Sequence, residues 1–383
     1  MQIYKAYKFR MYPDTKQQEK LNEFLGTKRF IYNYYLGEKI KDSKLNINDM
    51  KKDLLILKNE YPWLEEIDSC ILRTTIEDLD KALKNYFNKL TGYPKFKNYH
   101  SKQSYRTNCI RSFYKEKMYQ NIKIDIKNKT IKFPKLEEIK IKGYRNLEKF
   151  DKKIINATIS KEAGKYYVVV LVEENIKEMT FTPKYVIGVD LGVKDLVITS
   201  YGDKFPKLEK LNQLENKIKG LNKWLSRSQK GSKNRGKIIL KIQRVNQKIK
   251  NMRKFYNHLI TNKLIKENDI IITETLKIKE MIVDQKNKLA KYISNANLSE
   301  ILRQLKYKAF WNNTRLYQIN TYYPSSQVCS NCKTKNKNLK DLSIRKWECL
   351  NCHMMHDRDI NASLNILEEG IKLYMKDLEE LKV

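Results

Sequence analysis

The stretch "KYVIGVDLGVKDLVI", Lys184 to Ile198, decides how the second half of the chain folds. Val186, Ile187 and Val189 form an apolar, β-branched run of the kind found in buried strands. The run nevertheless ends on Asp190, and a lone buried carboxylate is strongly unfavourable unless something pairs with it. "NDIIITETL" (Asn268 to Leu276) repeats the pattern, with Ile270, Ile271 and Ile272 leading to Glu274. In α/β sheets, functional groups collect in the crevice outside the carboxyl ends of the strands. Further acids stand in "HDRDINASLNI", where Asp357 and Asp359 lie at or near the start of a helix marked by Ala362, Leu364 and Ile366.

Singly, each acid has a plain structural reading as a helix cap or turn residue. Together they suggest more. Three convergent carboxylates cannot all stay ionised without cations. Their hard oxygens select Mg²⁺ or Mn²⁺, and two such ions ~3.5–4 Å apart would clamp an in-line displacement at phosphorus.

Charge points to the substrate class. The chain has 383 residues, with 78 Lys and Arg against 44 Asp and Glu, a formal charge of +34. The excess is spread along the chain, in runs such as "KGSKNRGK" (Lys230 to Lys237) and "KNKNLK" (Lys335 to Lys340). A chain this basic repels itself, and a polyanion is the natural compensating partner. The 25 Tyr and 12 Phe supply faces on which bases can stack. No apolar run reaches the ~18 residues that a membrane span requires, and "MQIYKAYKFRMYP" has no apolar signal core, which predicts a cytoplasmic protein without a membrane partner.

Periodicity divides the chain. Residues 2–10 read as a strand. "YPDTKQQ" follows, with Thr15 and Gln18 expected to form a capping box. Leu21, Phe24 and Leu25, then Phe30, Ile31, Tyr34 and Tyr35, suggest helices, and Leu72, Ile76, Leu79, Leu83 and Tyr86 mark another. From about residue 95 the period changes to two. "NIKIDIKNKTIKF" turns at Lys127–Lys129 and "ATISKEAGKYYVVVLVEE" around Gly164, as antiparallel hairpins do. The first half therefore reads as a small β-barrel interrupted by helices. From about 181 the order is strand, helix pair, strand, helix. Leu208 to Leu225 marks one long helix and Ile242, Val245, Ile249, Met252, Tyr256 and Leu259 the other, joined by the basic tip "SRSQKGSKNRG".

Four of the six cysteines fall in "CSNC" (Cys329, Cys332) and "CLNC" (Cys349, Cys352), sixteen residues apart. That spacing fits a structural Cys₄ zinc site with a small hairpin in its spacer. Lys333 and His353 stand where such knuckles usually carry glycine. A left-handed residue with a side chain costs on the order of 1 kcal/mol. His353 and His356 are rival ligands, made redundant by a complete cysteine set. Cys70 and Cys109 read as small buried hydrophobes.

"IGVDLGVKDL", "SRSQKGSKNRGK", "ITETLKIKEM", "YPSSQVCSNC" and "HDRDINAS" resemble the TnpB family of transposon-encoded RNA-guided DNA endonucleases, relatives of the compact type V CRISPR effectors. The resemblance extends through "AYKFRMYP", "DLDKALKNYF" and "GYPKFK", and so covers nearly the whole chain. It implies an α/β RNase H-like (RuvC) nuclease domain at 181–325 and 355–383 with a Cys₄ zinc insertion at 326–354. Ahead of it the family has a wedge β-barrel (1–10 and 95–180) interrupted by a helical recognition domain (11–94). It also implies a transposon-derived guide RNA, a double-stranded DNA target beside a short adjacent motif, and two-metal hydrolysis. By this resemblance Asp190, Glu274 and Asp359 are the nuclease acids, with Asp357 supporting or capping. Arg345 in "SIRKWEC" faces the scissile phosphate. "SYRTN" offers Thr107 and Asn108 for the DNA motif, with Arg73 and Thr74 in the recognition helix. The family often has Asp or Asn after the second acid, where this chain has Thr275. The rival readings are an RNA-guided DNA-binding protein without cleavage, a compact CRISPR effector, and a transposase of the joining kind.

Overall fold

The computed structural model describes residues 2–42, 44–114, 117–143, 153–176, 182–277, 296–341 and 343–380. The chain divides into two compact units, Met1–Ile176 and Lys177–Val383.

In the first unit, strand β1 (Gln2–Tyr12) is followed by helices α1 (Thr15–Lys41), α2 (Ile47–Glu60) and α3 (Ser69–Phe87). Strands β2 (Gln103–Asn108) to β9 (Lys165–Asn175) come next, including a separate hairpin of β3 (Arg111–Tyr114) and β4 (Lys117–Gln120). The main sheet is antiparallel and seven-stranded, in the order β2-β8-β9-β1-β7-β6-β5. Here β5 is Lys123–Asp125, β6 Thr130–Phe133, β7 Leu136–Lys142 and β8 Lys153–Glu162. Among the described residues its outer strands β2 and β5 are not paired with each other.

Period-two burial along β9 (Tyr166, Val168, Val170 and Val172) gives the sheet its apolar face. The predicted turn at Gly164 is present. Ala163 and Gly164 both have positive φ, 49° and 76°, as a two-residue turn matching the strand twist requires. The helices share one buried cluster with the sheet, and Phe24 of α1 meets Tyr105 of β2 edge to face at 5.8 Å.

Two local expectations shift. The capping box at the start of α1 uses Asp14 and Gln17, not Thr15 and Gln18. Pro13 keeps the chain extended through Asp14 (φ −69°, ψ −179°), so Asp14 is the residue whose carboxylate accepts from the Gln17 N–H at 2.8 Å. The two apolar groups expected after it lie on one 27-residue helix.

The second unit has a five-stranded sheet in the order β12-β11-β10-β13-β14. Its strands are β10 (Val186–Asp190), β11 (Asp195–Thr199), β12 (Lys204–Pro206), β13 (Ile270–Glu274) and β14 (Arg315–Ile319). The first three pair antiparallel, while β10, β13 and β14 run parallel. Between β12 and β13 stands the expected helical hairpin, α4 (Lys210–Arg227) and α5 (Lys233–Glu267), and α6 (Leu298–Asn312) precedes β14. On α5 the predicted stripe fails at its end: Leu259 is exposed, while Ile260, Leu264 and Ile265 are buried. There α5 turns from α4 to pack on α6 and the sheet, so its apolar face rotates. The expected continuation of "ITETLKIKEM" at 278–281 lies outside the described residues.

The C-terminal helix α7 (Arg358–Glu380) lies on β10, and two glycines make that possible. A Cβ on Gly188 would stand 2.2 Å from the Ser363 carbonyl oxygen, and one on Gly370 would stand 2.1 Å from the Ile272 side chain. At Gly188 strand backbone thus touches helix backbone, and at Gly370 helix backbone touches the Ile272 side chain, at distances that leave no room for a Cβ. Gly188→Ala is expected to lower stability by about 1–3 kcal/mol or more, because the obstacle is backbone that cannot rotate away. Urea unfolding of the purified protein measures this, and an unchanged midpoint would contradict the contact.

Candidate nuclease and metal centre

Parallel pairing aligns Val189 of β10 with Thr273 of β13, so the next residues, Asp190 and Glu274, end adjacent strands side by side. Neighbouring strands lie ~4.8 Å apart, and the two carboxylates share one edge of the sheet. The backbone of Glu274 is fixed from β14, where it pairs with Ile319 while the Thr275 N–H donates to the Ile319 carbonyl at 3.2 Å. Helix α7 brings Asp359 to the same edge from its first turn.

The three carboxyls feel one another's charge. Burial, then Glu274, then Asp359 push the Asp190 carboxyl up to about 8. Asp190 keeps an opening to solvent although protein packs it on most sides. Glu274 is raised by burial, with its hydrogen bond from the Ser325 hydroxyl opposing the rise. Both groups therefore bind their protons more tightly than ordinary carboxyls.

Arg345 is at this edge too. Its Nη1 donates to both oxygens of Asp359, at 3.2 and 3.3 Å, and its carbonyl accepts the Arg358 N–H at 2.8 Å. Asp357 caps α7, accepting from the N–H groups of Asp359 and Ile360 at 3.1 and 3.2 Å. It also pairs with Lys204 at 2.6 Å.

The four cysteine sulfurs all lie within 4.8 Å of one another, the one such set of ligand atoms among the described residues, and the acids are more openly spaced. Cys329 and Cys352 are 3.6 Å apart and Cys332 and Cys349 3.5 Å, close to the ~3.7 Å edge of a tetrahedron with Zn–S bonds of ~2.3 Å. Each pair sits in its own small hairpin. A Val328–Lys335 bridge closes the first, and β15 (Lys346–Glu348) paired with β16 (Met355–Asp357) closes the second. The N–H groups of Lys333 and His353 return to the Cys329 and Cys349 carbonyls at 3.0 and 2.9 Å. Both residues are left-handed, φ 63° and 58°, as their place after each CxxC predicted.

The Thr334 hydroxyl, 3.4 Å from its sulfur, draws Cys332 down to about 5, while burial pushes Cys329 up to about 12. A dication could hold both as thiolates, and the set fits Zn²⁺. Neither histidine is needed. Burial lowers the pKa of His356, whose Nε2 lies 3.1 Å from Cys329 Sγ, while exposed His353 faces Glu348.

The cysteine module is tied to the acids by side chains to which the sequence reading gave no role. Asn361 donates to the Val328 carbonyl and accepts from the Ser330 N–H, both at 2.8 Å. Asn365 donates to the Ser325 and Val328 carbonyls, and the buried Arg358 to those of Asp341 and Ile344. The sequence signal available was two asparagines four residues apart, Asn361 and Asn365, among the apolar residues after the last acid.

The residues expected to read DNA divide. Thr74 and Thr107 are buried. The Thr74 hydroxyl donates to the Arg106 carbonyl at 3.0 Å and the Thr107 hydroxyl to Asp68, so both fasten α3 to β2 and present nothing to a groove. Arg73 and Asn108 are exposed, and the Cys70 thiol feels both the Asn108 backbone and the Arg73 charge.

Two measurements check this site. The ordinary Asp value is about 3.9, so between about pH 4 and 8 the unfolded chain binds fewer protons than the native one at Asp190, and stability falls as pH rises. Asp190→Asn removes that penalty. The metal-free variant is expected to exceed the parent by about 1–4 kcal/mol at pH 7, the gap growing from pH 4 to 8 and flat above, in urea melts across pH. Metal analysis is expected to find one zinc per chain, lost in Cys332→Ser together with part of the thermal stability.

Three family models match the chain: "Helix-turn-helix domain" over 1–46, "Probable transposase" over 167–284 and "Cas12f1-like, TNB domain" over 299–366. Residues 1–46 nevertheless contain β1 and the single helix α1. A Streptomyces pristinaespiralis protein named as an RNA-guided DNA endonuclease is 30% identical over 97% of this chain and 90% of its own length. Escherichia coli K12 InsQ, named likewise, is 29% identical over 97% and 93%. The Cas12f1 chain from its complex with sgRNA and target DNA superposes with a TM-score of 0.52 at 14% identity, covering 95% of this chain and 98% of that one, which shows a shared fold. This chain belongs to the TnpB family of transposon-encoded RNA-guided DNA endonucleases.

Proposed function

We propose that this protein is an RNA-guided endonuclease that cuts double-stranded DNA matched to a bound guide RNA. The observation that carries the reading is the meeting of Asp190, Glu274 and Asp359 at one sheet edge with Arg345 beside them. In this reading the second unit is an RNase H-like (RuvC) nuclease domain. The seven-stranded sheet is the wedge domain, α1–α3 form the recognition helices, and 326–354 is a zinc-bearing insertion.

Asp190, Glu274 and Asp359 would hold Mg²⁺ or Mn²⁺. Bound there, the ions would supply an activated water and charge stabilisation at the leaving 3′ oxygen. The chain's own residues do the rest. β10 and β13 fix two carboxylates in register, and Ser325 orients Glu274. Asp357 and Lys204 hold the first turn of α7, and so the height of Asp359. Arg345 pairs with Asp359, and its exposed guanidinium can exchange that carboxylate for a phosphate oxygen, a planar fork suited to either anion. The cysteines take no part in the chemistry: a complete Cys₄ set leaves no open position and serves to hold the insertion against α7.

Guide pairing would select the target, while the protein recognises backbone and A-form shape, which suits a dispersed charge of +34. Arg73 and Asn108 remain candidates for the adjacent DNA motif.

With Mg²⁺, the purified ribonucleoprotein is expected to cut a guide-matched plasmid. Asp190→Ala and Glu274→Gln abolish cutting, and Arg345→Ala slows it by about 10²–10³-fold with guide binding unchanged. Full activity in Asp190→Ala would remove the nuclease reading, and guide-dependent gel shifts without product under any divalent metal would favour a binding protein.

A further inference from the structure

Five large aromatic side chains within fourteen residues of the first unit are exposed: Tyr86, Phe87, Tyr93, Phe96 and Tyr99. Phe87, Phe96 and Tyr99 have 67%, 56% and 64% of their surface open, more than loop geometry alone demands of residues that ordinarily seek the core. The surrounding sequence, Lys81 to Lys102, contains six lysines and no acid.

The segment is built rather than loose. Tyr86 stands edge-on to Phe87 and to Tyr93, with ring centroids 5.4 and 5.1 Å away. Beyond Pro94 the chain runs along one face of α1. Phe96 lies 4.0 Å from the position a Cβ would take on Gly37. Asn33 holds Lys97 by both backbone groups, accepting its N–H at 2.7 Å and donating to its carbonyl at 2.8 Å. Lys97 Nζ sits over the Tyr32 ring at 4.8 Å, and the Arg29 guanidinium over Tyr99 at 5.7 Å. Residues 29, 33 and 37 are spaced by four, so these anchors follow one helical stripe ~12 Å long. The result is a row of open rings on a fixed backbone, among cations.

We infer that this row is a stacking platform for unpaired bases of RNA. Open aromatic faces among cations are the chemistry that binds single strands through base stacking and phosphate contact. A duplex target keeps its faces stacked inside the helix, whereas a guide exposes unpaired bases before it meets its target. The inference rests on the guide-RNA reading, but its test needs no cleavage, so failure of the nuclease assignment and failure of the platform are separable.

The probe is a short single-stranded oligoadenylate RNA carrying 2-aminopurine, titrated onto full-length protein. The double variant Phe96→Leu/Tyr99→Leu keeps apolar bulk and removes the rings. It is expected to bind ~10–100-fold more weakly and to lose the stacking-induced quenching of 2-aminopurine. The slope of log affinity against log salt should stay unchanged, because every lysine remains. Phe96→Tyr/Tyr99→Phe, which keeps both rings, should retain affinity and quenching, which separates ring loss from misfolding. The inference is overturned if the leucine variant behaves as the parent, or if the ring-keeping variant falls equally far. It is also overturned if the same oligomer as DNA shows the same losses at equal affinity, since the platform would then serve single-stranded DNA.

Discussion

The approach of α7 to the sheet governs the rest of the second unit. Gly188 lets the backbone of α7 meet β10 directly and Gly370 lets it close onto the Ile272 side chain of β13, while Asn361 and Asn365 on the same helix grip the segment leading into the first cysteine knuckle. One helix therefore sets the position of Asp359 over the strand ends and the position of the cysteine module over Asp359. A Cβ in the contact, or loss of either asparagine, would move both together.

That coupling gives the cysteine module a mechanical meaning. Arg345 lies between the two cysteine pairs in sequence, yet its guanidinium reaches Asp359 and its carbonyl receives the first N–H of α7. Arg358, pointing the other way, ties the helix start to the carbonyls of Asp341 and Ile344. A disordered spacer could not hold an arginine beside a carboxylate edge, because ordering long side chains and loops costs conformational entropy. A tetrahedral thiolate site ties the spacer down from both ends.

The acids themselves are costly. Burial and mutual repulsion keep Asp190 protonated well above its ordinary range, so the folded protein tolerates an arrangement that favours neither ionisation nor stability. Ser325 and Arg345 each satisfy one of the other two carboxyls without neutralising the edge as a whole.

The sequence by itself determined the elements whose signal is local. Two apolar runs ending in Asp190 and Glu274, two CxxC pairs, hairpins turning at Gly164, and the left-handed sites at Lys333 and His353 follow from period, spacing and backbone sterics within a few residues. Tertiary structure decided what depends on which face meets what. Thr74 and Thr107 read as polar candidates for DNA, but the packing of α3 on β2 buries them, while Arg73 and Asn108 stay outside. Leu259 yields its place to Ile260 because α5 changes partners along its length. Ser325, Asn361 and Asn365 gain their roles only where the cysteine module, α7 and the end of β13 come together. Burial is a property of contacts between segments remote in the chain, and no local pattern of one segment contains it.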